Sequence, residues 1–235
     1  MEKQEVLQTL KNLRDNTPKK KFSQAVDVQI NLQQYDIKKQ DKIDMFMVLP
    51  HKRNKDIKMG AFVDSQLSEQ ARKFFNVVIT KDEFPKWNNQ KKEQKKLAAE
   101  NDVFVAQAEL MANMAGIFGK ILGARGKMPN PKAGCVVPGT ANLEPLVNRI
   151  KNTVRLATKN DPVIRLSIGD EKMKDDDLAD NILAVYNTLV SKLPEGKNNV
   201  KYVALKFTMG PLFKVGEVKK KWNIKLTFHN IRRMN

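Results

Sequence analysis

Two stretches of this 235-residue chain carry residue types at spacings that could do chemistry. The first is LGARGKMPNPKAG, residues 122–134, where Arg125, Lys127 and Lys132 sit among rigidly spaced glycines and prolines. Such a loop can offer backbone N–H groups and cations to phosphate. The plainer alternative is a structured connector with a solvated basic face. It spells neither G-x-G-x-x-G nor G-x-x-x-x-G-K-S/T, so a nucleotide cofactor is not indicated. The second is a set of polar residues alternating with apolar ones: Asp27, Gln29, Asn31, Arg165, Ser167, Tyr202, Lys206 and Thr208. Lys19-Lys20-Lys21 and Phe22 lie just before the first of these strands; Thr208-Met209-Gly210-Pro211 lies just after the last. Lysines suit phosphate, Phe22 and Tyr202 can stack on bases or pack on ribose, and Gly210 lets a backbone approach closely. An ordinary solvated sheet face would show the same alternation.

Catalytic patterns are missing. There is no G-x-S-x-G elbow, no H-E-x-x-H and no acidic pair in an apolar setting. Asp175, Asp176 and Asp177 suit the positive end of a helix better than a metal. With one cysteine (Cys135) and two histidines (His51, His229), an internal disulfide is excluded, and neither zinc nor a Cys–His mechanism is expected. Lys86, Lys91, Lys92, Lys95 and Lys96, with Glu93 among them, read as a solvated helix face. Forty-three Lys and Arg against 26 Asp and Glu give a net charge of +17. That excess on a chain with 41% apolar residues points to a folded protein with a polyanionic partner, nucleic acid first. The first residues, MEKQEVLQTLKNLRD, lack an apolar signal region, so export is not expected. No stretch approaches the roughly 18 apolar residues of a membrane span.

The elements that would position these residues follow from periodicity. A helix is expected over 3–15, with Val6, Leu7, Leu10 and Leu13 on one face. AVDVQINL (25–32) alternates cleanly as a strand. KIDMFMVL (42–49) reads as a second strand, able to pair with it across a polar connector. Strands at 58–64, 76–80 and 102–107 then alternate with helices at 66–74, 86–99 and 109–121, the last with a stripe of Leu110, Met114, Ile117 and Ile121. Such alternation predicts a parallel sheet covered on both faces. A helix at 143–153 follows. The first pattern returns with a strand at 163–168, a helix at 175–193 striped by Leu178, Ile182, Tyr186, Leu189 and Leu193, and a strand at 200–208.

The expected fold class is therefore mixed α/β and α+β in two domains. A discontinuous antiparallel-sheet α+β domain spans 1–52 and 155–215, its four strands forming one sheet. A parallel-sheet, three-layer α/β domain of Rossmann-like type is inserted over 53–154. Two crossing connections imply a hinge. A basic tail fills 216–235 and is expected to be unordered when unbound.

At these motifs the chain resembles the universal large-subunit ribosomal protein L-one family, whose signature usually runs L-G-P-R-G-x-M-P-N-P-K-x-G. KFSQAVDVQINL (21–32), VLPH (48–51), Ile168-Gly169 before a Met-containing turn and long helix, and TMGP (208–211) occur in the family's order. The resemblance covers about residues 1–215 and is archaeal in type. It implies a non-enzymatic cytoplasmic protein of the large subunit, monomeric when free, with no cofactor and no membrane. It implies binding to the rRNA stalk beside the tRNA exit site, help in releasing deacylated tRNA, and, for many members, repression of translation through their own mRNA. The family's dominant RNA contacts map onto Lys21, Phe22, Thr208, Met209 and Gly210. Asp27 holds the position of a family acid, and Arg165 stands where many bacterial members have His. Gln29, Tyr202 and Lys206 complete the candidate RNA face; Arg125, Lys127 and Lys132 would form a second, weaker contact. Ala124 replaces the usual proline, Tyr202 a usual serine, and residues 216–235 match no family pattern. Two rival readings remain from the residues alone: an α/β enzyme holding a phosphorylated substrate at Arg125, Lys127 and Lys132, and a non-specific DNA-compacting protein.

Overall fold

A computed structural model describes residues 1–36, 42–53, 56–88, 90–158 and 160–217. The expectation for the basic tail falls almost wholly outside them. The chain divides into two compact units: Met1–Asp44, Leu49–Arg53 and the segment from Val154 onward form one; Met45–Val48 and Asn54–Thr153 form the other.

The first unit is built on alternation. β1 (Ala25–Leu32) buries Val26, Val28, Ile30 and Leu32 and leaves Asp27, Gln29 and Asn31 half-exposed. It is flanked on both sides by antiparallel partners, β8 (Val163–Asp170) and β9 (Val200–Phe207). A short β10 (Phe213–Lys214) completes the order β10-β9-β1-β8. Two helices cover the apolar face: α1 (Lys3–Asn16) lies against β9, α7 (Asp175–Val190) against β8, and each against the other. Val6, Leu10 and Leu13 of α1 and Leu178, Ile182 and Leu189 of α7 are fully buried, the amphipathic stripes doing what their period requires. A buried amide fastens the VLPH segment: Asn181 accepts from the His51 N–H (2.9 Å) and donates to the carbonyls of His51 (3.2 Å) and Ile168 (3.1 Å).

One expected strand goes elsewhere. β2 (Asp44–Val48) does not join the antiparallel sheet; it pairs with β7 (Thr153–Ala157) as a separate two-stranded sheet. The reason is physical. Both edges of β1 are taken by β8 and β9. Met45 to Val48 also lack the alternation of a half-wet strand, and they belong to the second unit, on whose core Phe46 packs. β7 is a strand the sequence reading does not assign; only its first residue, Thr153, falls in the helix expected over 143–153, which stops at Asn152.

The second unit holds the parallel strands β3 (Met59–Val63), β4 (Val77–Thr80), β5 (Val103–Gln107) and β6 (Val136–Val137) in the order β4-β3-β5-β6. β3 is buried at every residue, as a strand covered on both faces must be. On one face α2 (Ser65–Phe74) and α6 (Leu143–Asn152) bury Leu67, Ala71, Val147 and Ile150. On the other, α3 (Phe84–Trp87), α4 (Lys91–Glu100) and α5 (Met111–Ala124) enclose Phe62, Phe104 and Phe118. The rings of Phe62 and Phe118 lie 5.0 Å apart, those of Phe62 and Phe104 5.6 Å, close enough to add to their burial.

Two helices differ from expectation. The single helix expected over 86–99 is two, α3 and α4, with Gln90 in a non-helical conformation at the start of α4. The Gln94 amide donates to the Trp87 carbonyl at 2.6 Å across that break. The buried stripe of α5 is Met114, Phe118 and Leu122, not Ile117 and Ile121. The aromatic cluster selects the face carrying Phe118, which leaves both isoleucines half-buried at its flank.

Candidate nucleic-acid interface

Three strand ends meet at one rim of the antiparallel sheet. Ala25 pairs with Asp170 at the end of β8, and Val26 pairs with Phe207 at the end of β9. The ladder runs one step further than β9 itself: the Thr208 N–H donates to the Ala25 carbonyl (3.1 Å), and the Thr208 hydroxyl accepts from the Ala25 N–H (3.1 Å). Gln24 is 1% exposed and ties the rim together. Its side-chain oxygen accepts from the Met209 N–H (3.2 Å), and its carbonyl accepts from the Glu171 N–H (2.9 Å). Arg14 braces the β8 side by donating to the Asp175 carboxylate and to the carbonyls of Glu171 and Met173, at 2.7–2.9 Å.

On this braced rim the apolar side chains point outward. Phe22 is 51% exposed and Met209 65% exposed, and Lys19, Lys20 and Lys21 are exposed beside Phe22 in the chain. Soluble surfaces carry single exposed apolar residues without consequence; here two of the largest flank one set of strand ends. Gly210 has a packing role. A Cβ there would come within 3.2 Å of Thr17 Cγ2 and 3.3 Å of Phe207 Cβ, while its N–H donates to the Phe207 carbonyl at 2.9 Å. Two buried polar atoms near this turn, Thr17 Oγ1 and Gln24 Nε2, have no hydrogen-bond partner among the described residues.

The polar face continues from the rim. Asp27 sits opposite Lys206 on one side and Ser167 on the other; Gln29 sits opposite Arg165; Asn31 sits opposite Tyr202. Burial pushes the Asp27 carboxyl above the usual carboxylate range, and the Lys206 cation opposes that rise. Tyr202 is more engaged than its sequence position suggests. Asn31 donates to its hydroxyl at 2.6 Å, and the Lys214 ammonium lies 5.1 Å from its ring centroid. One ring face is thus covered by a cation. Arg165 is exposed and Lys206 half-exposed.

The 122–134 motif divides into separate roles. Its first half terminates α5: the Gly126 N–H donates to Gly123 (3.0 Å) and the Lys127 N–H to Leu122 (2.9 Å), with Gly126 at φ 65°, the left-handed cap that glycine favours. The Lys127 ammonium donates to the carbonyls of Ala98 (2.9 Å) and Asn101 (2.7 Å), at the end of α4. Its second half locks onto the sheet, where Asn130 accepts from the N–H groups of Lys132, Ala133 and Cys135. Arg125 and Lys132 are exposed; Lys127 is committed internally.

Sequence reasoning missed Gln24, Thr17 and Lys214. Gln24 lies within a quoted motif, but one buried amide before a strand leaves no periodic trace. Among the described residues, no group of three or more His, Cys, Asp or Glu could hold a metal ion, and no helix is long and apolar enough to cross a membrane.

The model of the "Ribosomal protein L1p/L10e family" matches residues 11–211. The chain is 38% identical over 216 residues to a protein of Pyrococcus abyssi named "Large ribosomal subunit protein uL1", covering 91% of this chain and 96% of that one. It is 38% identical over 214 residues to the protein of that name from Methanothermobacter thermautotrophicus (90% and 99% covered), and 36% identical over 222 residues to that from Methanocaldococcus jannaschii (94% and 99%). The enzyme reading of the 122–134 loop is thereby set aside, since its relatives are ribosomal proteins and Lys127 serves as a helix cap. By sequence, fold and the order of its motifs, the chain belongs to the ribosomal protein L1p/L10e family of large-subunit ribosomal proteins, in its archaeal form.

Proposed function

We propose that this protein binds the stalk of large-subunit rRNA beside the tRNA exit site, with the rim and polar face of its antiparallel sheet as the contact surface. The observation that carries this reading is the rim itself. Phe22 and Met209 are exposed apolar side chains held on strand ends fastened by Gln24 and Thr208, with three lysines next to Phe22. Preorganised strand ends meet a folded RNA at little ordering cost. The lysines supply the salt-dependent part of affinity, and Phe22 and Met209 the contacts that depend on which RNA is offered. Lys21, Asp27, Gln29, Arg165, Tyr202, Lys206, Thr208 and Gly210 complete the surface. Arg125 and Lys132 form a weaker second contact, and Lys127 supports it by holding the end of α4.

From that position the protein assists release of deacylated tRNA. It also represses translation of its own mRNA where that message presents a hairpin like the stalk. Competition decides the reading: a stalk-like rRNA fragment against an unrelated structured RNA of equal length, across a salt series. Preference for the stalk fragment that persists at high salt supports it; equal affinity at every salt concentration overturns it. The leader of the protein's own message, offered as a third competitor, tests the repressor role.

A further inference from the structure

A groove of about 710 Å³ runs between α4 and α5, and of its lining residues the RNA reading above uses only Arg125. Its rim is cationic, with Lys91 and Lys95 from α4, Lys120 from α5 and Arg125 just beyond it. Among the described residues, no acidic one lines it. None of these four cations forms an ion pair or side-chain hydrogen bond with another described residue. Lys91 and Lys95, four apart on one helix, repel each other. Its apolar lining includes Ile117 and Ile121, the two residues the aromatic core leaves half-buried, beside the buried Gln94 amide that donates to Trp87. Gly116 also lines the groove, and a Cβ there would meet nothing within 4 Å. Glycine weakens a helix relative to alanine, and among the described residues no neighbour requires it at this position; it keeps the groove open to close approach.

An occupant must therefore be anionic along its edges and apolar along one face. Single-stranded nucleic acid would want aromatic platforms, and among the described residues no aromatic side chain lines the groove. A nucleic acid duplex offers phosphates but nothing to cover Ile117 and Ile121. An acidic amphipathic helix meets both demands. We propose that the α4–α5 groove docks an acidic amphipathic helix of a partner protein, its apolar face on Ile117 and Ile121 and its carboxylates beside Lys91, Lys95, Lys120 and Arg125. Apart from Arg125, which the weaker RNA contact shares, this inference is independent of the rRNA reading.

The test uses fluorescence anisotropy on the full chain with three probes. One is a peptide of about 16 residues, some four helical turns, with leucine on one face and glutamate elsewhere. One is the same composition scrambled to destroy the apolar face, and one is single-stranded polyuridine. The amphipathic peptide is expected to bind at least about tenfold tighter than the scrambled one. Gly116→Leu fills the groove without altering charge and should weaken that binding about tenfold or more, with the melting temperature unchanged or raised, since leucine is the better helix former. The double substitution Lys95→Glu with Lys120→Glu, at cations the RNA reading does not use, should abolish the preference. Equal binding of the two peptides, or indifference to Gly116→Leu, overturns the proposal. Polyuridine binding that falls with the double substitution, together with peptide binding that does not, would instead mark a phosphate site and overturn it too.

Discussion

The antiparallel and parallel sheets have four strands each, yet they leave different things at the surface. In the parallel sheet both faces are covered, β3 is buried throughout, and whatever meets solvent is a helix or a loop. In the antiparallel sheet two helices cover one face only, and the strands themselves present Asp27, Gln29, Arg165, Tyr202 and Lys206 outward. A strand face is rigid because its backbone bonds are laddered. The lesson concerns where a binding surface can be preorganised. Rim residues on β1 and β9 inherit the order of the sheet, whereas cations on α4 and α5 depend on two helices keeping their spacing.

Substitutions can break or sharpen this contrast. Phe62→Ala, at the centre of the aromatic cluster, should cost about 3–5 kcal/mol in urea unfolding of the parallel unit; a loss under about 1 kcal/mol would mean that core is not tightly packed. Asn181→Ala removes the clamp between the His51 segment and β8, leaving buried backbone groups unpaired. About 2 kcal/mol of stability should go with it, read by thermal unfolding. Phe22→Ala should do the opposite, leaving the melting temperature alone and weakening stalk-fragment binding by about 1–3 kcal/mol. Thr208→Val sharpens the comparison, because its hydroxyl extends the β1–β9 ladder; it should lower both stability, by about 1 kcal/mol, and RNA affinity. If only affinity falls, the hydroxyl is not part of the ladder in solution.

The smallest effect belongs to Asp27. Its carboxyl is raised by burial, so the folded protein binds that proton more tightly than the unfolded chain does. Stability from this group is therefore greatest in acid and declines as pH rises through the folded value. Asp27→Asn should be slightly more stable than the parent at pH 7, by well under about 1 kcal/mol given solvent screening. The difference should vanish below the ordinary value of 3.8. A parent more stable than the variant at pH 7 would show that the Lys206 attraction outweighs burial.

Much of the fold was legible because alternation and helical stripes carry period as well as hydrophobicity. AVDVQINL became β1 over the residues expected, and Leu178, Ile182, Tyr186 and Leu189 lie buried on α7. DMFMV lacked that period, and its placement depended on a core elsewhere. Ile117 and Ile121 fitted a helical stripe as well as Phe118 and Leu122; only the ring of Phe62 chose between them. The 122–134 motif showed its charges but not their use, since a lysine capping a distant helix end looks like any other lysine in sequence.

Alone, the order of amino acids determined the polyanion-seeking charge, the two architectural classes and the residues facing away from each core, because those are properties of composition and local period. Tertiary structure decided which strands became neighbours, which cations stayed free and which were spent on backbone carbonyls. It also decided that Gln24 would hold the rim. Those outcomes depend on contacts between residues such as Gln24 and Met209, or Lys127 and Ala98, that lie far apart along the chain and meet only when it is folded.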